Sequence, residues 1–74
     1  MTSIEMAIFL AGYEIDIADS IVIADLYNEL EAKGLNREER IAAMEPTYNA
    51  MEAAKQVKLA ELRALLMRGG EPLH

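Results

Sequence analysis

Two spacings in this sequence could do chemistry, and both involve carboxylates. Glu71 and His74 stand three residues apart, the interval at which one helix face can offer a carboxylate and an imidazole to a metal. Glu14, Asp16 and Asp19 fall close together, as the oxygen ligands of a calcium loop do. Each fails on its own terms. Sites of the first kind need several ligands on packed helices, whereas His74 is the sole histidine and follows two glycines and a proline. A calcium loop takes oxygen at its first, third and fifth positions and glycine at its sixth. Counted from Glu14, those last two are Ala18 and Asp19. Glu38-Glu39 suits a helix start, and Gly69-Gly70 opens no helix that would cradle a phosphate. Catalysis also wants a nucleophile, a base and a pocket. The expectation is a chain that is not an enzyme, with no cofactor and no metal.

What remains is surface chemistry, and composition bounds it. Seventy-four residues with 53% apolar content make one domain whose core alone is marginal. Chains this short usually add disulfides, a metal or oligomerisation. With no cysteine, oligomerisation or a partner is the staple left. Residues 1–32 hold seven acids and no lysine or arginine, while residues 33–74 hold seven basic residues and six acids. The acidic first half repels phosphate, which argues against nucleic acid and anionic membranes, and it attracts a basic protein surface. Ile4 to Ala11 is mostly apolar, but no basic stretch precedes it and acids interrupt any longer window. A soluble cytoplasmic protein is therefore expected, with no membrane contact.

Helical spacing dominates the elements that must carry this surface. Thr2 and Glu5 fit a capping box. Apolar residues then recur at 4, 8, 11, 15, 18 and 22, a heptad-type seam. Gly12 inside it could break the helix and start a second near Asp16 or Asp19. A rival reading turns Tyr13–Ile17 and Ile21–Ile23 into a short β-hairpin. Lys33-Gly34 reads as a helix stop, and Asn36 with Glu39 as a second capping box. Pro46 predicts a kink, or a helix end and a new start. The second helix runs to Arg68, which leaves residues 1–68 as one helical domain and 69–74 as a flexible tail. The fold class expected is all-α: a helical hairpin of two or three helices, assembling into a dimeric helical bundle.

At about 100° per residue the second half shows two apolar faces. One carries the large residues Ile41, Met44, Tyr48, Met51, Leu59, Leu62 and Leu66. The other carries Ala42, Ala50, Ala53, Val57, Ala60 and Ala64. One stripe packs against one neighbour, so two stripes imply two neighbours. On that ground Ala42, Ala53, Val57, Ala60 and Ala64 are the expected self-association face. The first helix is apolar nearly all round, from Ile17 through Ile21, Val22, Ile23, Ala24 and Leu26 to Tyr27. Lys55 interrupts the large stripe, where it either snorkels or meets an acid of the first helix and fixes register. Arg37, Arg40, Lys55 and Lys58 are read as partners of that acidic helix rather than as a nucleic-acid stripe.

These features point to a small acidic interaction module that binds a partner protein and modulates it, inhibition being the expected direction. Its style is that of a phage or mobile-element protein. The candidate partner-binding residues are Tyr13, Tyr27, Met44, Tyr48 and Met51, joined by the acids Asp16, Asp19, Asp25 and Glu29. Tyrosine and methionine supply adaptable contact area. Competing readings are an acidic nucleic-acid mimic, a structural subunit of a larger assembly, and a small dimeric nucleic-acid regulator.

Overall fold

The computed structural model describes residues 2–69. Within them the chain forms two helices, α1 (Ser3–Ala32) and α2 (Arg37–Gly69), packed side by side as an antiparallel hairpin. There are no strands among the described residues, so the β-hairpin alternative is overturned. The reason is local: residues 17–32 on their own supply more than four helical turns, whereas an isolated hairpin would leave two open edges. Two further expectations are corrected. α1 runs through Gly12 without a break, and α2 runs through Pro46 as one helix rather than two. Of the tail expected at 69–74, Gly69 belongs to α2, and the rest, with Glu71 and His74, lies outside the described residues. No described helix is long and apolar enough to cross a membrane.

The ends of the helices follow from the residues that flank them. Glu5 N–H donates to Thr2 Oγ1 at 3.1 Å, and Thr2 N–H donates to Glu5 Oε1 at 3.0 Å. Asn36 and Glu39 exchange the same pair of bonds at 2.9 Å each. Both capping boxes therefore form, and each satisfies two donors that a helix start leaves unpaired. Between the helices, Gly34 N–H donates to Glu31 O at 2.9 Å and Leu35 N–H to Leu30 O at 3.2 Å. That is the Schellman pattern. It needs a left-handed residue after the cap, and Gly34 supplies it with φ +89°.

The seam between the helices has a different period from the one expected. In α1 the half-buried or buried positions are Ile4, Ala7, Ile8, Ala11, Gly12, Ile15, Asp19, Ile23, Leu26, Tyr27 and Leu30, while Ala18 and Val22 are exposed. In α2 they include Arg40, Met44, Thr47, Met51, Lys55, Leu59, Leu62 and Leu66. Positions 4, 15 and 26 repeat every eleven residues, as do 40, 51 and 62, and 44, 55 and 66. A heptad would require the helices to wrap left-handedly, whereas eleven residues over three turns call for a slight right-handed wrap. The heptad holds through Ile15 and then slips by one, which brings Ile23, Leu26 and Leu30 inward.

Only this one line is covered. Gly12 alone is buried among the described residues, and none of their apolar side chains is buried in a core. Twelve large apolar residues stay substantially exposed, including Phe9 and Ile21 at 59% each. The molecule is a rod of 59 × 16 × 16 Å with a radius of gyration of 16.9 Å, against roughly 11 Å for a compact chain of this length. The apolar surplus expected from the sequence is thus present on the hairpin: Met6, Leu10, Ile17, Ile21 and Val22 on α1, and the alanine face on α2.

Candidate functional site

Four hollows run end to end along one broad side of the hairpin. The first, nearest the turn, is lined by Ile23, Tyr27, Ile41, Met44, Glu45 and Tyr48. It shares Ile23 and Tyr48 with the next, which adds Asp16, Asp19, Ser20, Met51, Glu52 and Lys55. Asp16 and Lys55 also border the third, with Ile8, Phe9, Gly12, Tyr13, Gln56 and Leu59. The fourth continues from Ile8, Gln56 and Leu59 to Ala60 and Arg63. From Ile8 to Tyr27 the strip spans about 30 Å at ~1.5 Å per residue. Its hollows measure 250 to 390 Å³, at the lower end of what a small-molecule site offers. A row of separate hollows of that size suits side chains presented by another protein.

The sequence-derived contact residues divide cleanly on this geometry. Tyr13, Tyr27, Met44, Tyr48 and Met51 all line the strip, and so do Asp16 and Asp19. Asp25 does not: nine residues beyond Asp16, it stands about half a turn away on α1. Glu29 lies on that same opposite side. Of the proposed self-association face, Ala42, Ala53, Val57, Ala60 and Ala64 are exposed, on the side of α2 turned away from α1. Ala60 alone among them borders a hollow.

A charged pair crosses the strip at its midpoint. Lys55 Nζ donates to Asp16 Oδ1 at 2.9 Å and lies 4.0 Å from Glu52 Oε1. Lys55 thus meets an acid of α1 from within the apolar stripe, one of the two roles read for it from sequence. Its side chain is 16% exposed and that of Asp16 is 53% exposed. The Asp16 hydrogen bond, reinforced by the carboxylates nearby, holds the ammonium pKa above its ordinary 10.5. The lysine stem passes close to Gly12: a Cβ there would sit 3.8 Å from Lys55 Cε and 3.5 Å from Leu59 Cδ1, ordinary contact distances.

Near the turn a second cation organises the strip. The Arg40 guanidinium lies 4.6 Å from the centre of the Tyr27 ring. Its Nη2 donates to Tyr27 Oη at 3.1 Å and its Nη1 to Leu35 O at 2.7 Å, with Glu31 Oε2 at 4.0 Å. One arginine therefore ties α1, the turn and α2 together and sets the angle of the Tyr27 ring. Sequence reading placed Arg40 among the residues that pair with the acidic helix, but nothing in its spacing pointed to Tyr27. It also missed Ile8, Phe9, Ile23 and Leu59 as lining residues. The signal for them is their place beside the eleven-residue seam.

At the far end of α1, Glu5 keeps its carboxyl below the usual 4.5, chiefly because the Thr2 backbone N–H donates to it. Among the described residues no group of three or more possible metal ligands comes together. The sequence matches no protein-family model, and neither curated proteins nor solved structures show a significant similarity to it.

Proposed function

We propose that this chain is a non-enzymatic protein–protein interaction module. Its grooved side is the docking surface, and it acts by covering a partner protein's surface and so inhibiting it. The observation that carries the reading is the gathering of all three tyrosines with Met44 and Met51 on one side of a hairpin that has no core of its own. Twelve large apolar residues are substantially exposed on the hairpin, and clustered exposed apolar surface marks interaction sites. Aromatic side chains beside a charged pair are the composition from which the energetic centre of interfaces is built. On this reading the chain alters a partner by occupying its surface, which is why inhibition is the favoured direction.

The test places a photocrosslinking residue at Tyr48 or Met51, and for comparison at Glu61 on the outer side of α2. Adducts specific to the first two positions are expected. They should vanish when Tyr13, Tyr27 and Met44 are changed to alanine while helicity persists. Adducts that survive those changes would mean the wrong side was chosen. The nucleic-acid mimic is less well supported, because the acids of α1 are split between opposite sides of the helix.

A further inference from the structure

Resting on the reading of the grooved side as a docking surface, we infer that its occupant, until a partner protein displaces it, is a second copy of this chain. The two hairpins lie face to face, α1 of each protomer over α2 of its partner, with both interhelical turns at the same end. Area is the first support. The chain is 8.2 kDa and exposes 5660 Å², whereas a compact monomer of that mass exposes roughly 4500 Å². The surplus is therefore on the order of 1100 Å² per chain, against about 800 Å² per partner in a standard interface and 1000 Å² or more in an obligate dimer. A dimer through the grooved side would bury area of that order, while Met6, Leu10, Ile17 and Ile21, which line none of the hollows, would stay outside it.

Charge selects the arrangement. Two twofold dimers can bring the same side of a hairpin against itself. With the turns at opposite ends, α1 lies over α1 and α2 over α2. The midpoint then sets Asp16 against the partner's Asp16 and Lys55 against the partner's Lys55. With the turns at the same end, Asp16 meets the partner's Lys55 and Lys55 the partner's Asp16. Four charges then form an alternating square in the middle of the apolar strip. Like charges brought together away from water are costly, and alternating ones fix register. The whole helices agree with this choice: α1 carries acids and no internal base, while α2 carries most of the basic residues. Equal levels also meet, so that Tyr48 of one protomer lies over the Ile23–Tyr27 level of the other.

The absence of native cysteine makes the test clean. Lys33→Cys, at the exposed end of α1, takes a single nitroxide, and light scattering across a concentration series gives the mass. The expected result is a dimer whose labels lie within about 30 Å, two to three helix diameters. A separation near the 59 Å length of the rod overturns the arrangement. Asp16→Lys should weaken the dimer at least tenfold, and Asp16→Lys with Lys55→Asp should return it to within a few-fold of the parent. The double variant keeps the test decisive if the single one loses its fold. A helical monomer at every concentration overturns the second-copy inference while leaving the strip open to a different protein. A dimer indifferent to Tyr48→Lys and Met51→Lys overturns the docking surface itself.

Discussion

The two glycines of the described hairpin should respond to alanine with opposite signs. Gly12 sits mid-helix with an ordinary helical backbone, and a Cβ there would meet Leu59 Cδ1 at 3.5 Å and Lys55 Cε at 3.8 Å, normal contact distances. No clash opposes the change, so the helix-propensity gain of about 1 kcal/mol should appear nearly in full. For a chain of this size that raises Tm by roughly 4–8 °C. Gly34 has nothing within 4 Å but holds φ at +89°. An L-residue in the left-handed region costs about 1–2 kcal/mol, offset by about 0.4–1 kcal/mol from a stiffer unfolded chain. Gly34→Ala should therefore lose about 1 kcal/mol, all of it in the backbone. Circular dichroism melts at one fixed protein concentration measure both, since association would make Tm depend on concentration. The double variant should fall near the parent, because the two sites share no contact. A lower Tm for Gly12→Ala would refute the reasoning: it would mean that something approaches Gly12 more closely than Leu59 does.

Removing the Arg40 side chain by Arg40→Ala should cost about 2 kcal/mol in a denaturant titration, for the lost ring contact and charged hydrogen bonds. Arg40→Lys should recover little, because an ammonium cannot reach Tyr27 and Leu35 together. Pro46→Ala should raise the urea midpoint by up to about 3 kcal/mol of stability, by restoring a donor and removing a clash inside α2. Glu5 has a depressed folded pKa, so its capping contribution is present above the usual 4.5 and is lost as pH falls through the lower folded value. Glu5→Gln should flatten stability against pH in that acidic window. Lys55 has a raised folded pKa, so its contribution is intact below 10.5 and fades only as pH climbs through the higher folded value. Lys55→Met should flatten that alkaline limb.

Local chemistry was the legible part of this fold. Thr2 with Glu5, Asn36 with Glu39, and Lys33 with Gly34 each announce a helix end through neighbours at most three positions apart, and each is found as read. Of the large stripe, Met44, Met51, Leu59, Leu62 and Leu66 turn toward α1, while Ile41 and Tyr48 at its edge stay exposed. What misled was the middle of α1. Ile17, Ile21, Val22 and Ile23 are equally apolar, and nothing within α1 says which of them faces inward. Ile23 wins because Leu26 and Leu30 continue its line, while Ala18 offers the alternative line almost nothing to bury. At Pro46 the helix end, one of the two readings, is not what forms, since packing on both sides of it outweighs one missing bond. The strip could be assembled from sequence only in part. Its tyrosines and methionines stand out by type, but Arg40 over Tyr27 and Asp16 against Lys55 join residues 13 and 39 positions apart, and only the seam's phase sets those meetings.

The eleven-residue repeat makes the hairpin a ruler with a fixed unit. Inserting eleven residues into each helix at matching levels would lengthen the rod by about 16 Å and return every side chain to its original side. Seven residues would add about 10 Å and, measured on a seam of eleven residues per three turns (about 98° per residue), turn everything beyond the insertion by about 33°, so the hollows would no longer fall in one line. Length is thus a property of this surface that can change in whole steps without redrawing it. A longer natural version of the rod would be expected to differ by elevens.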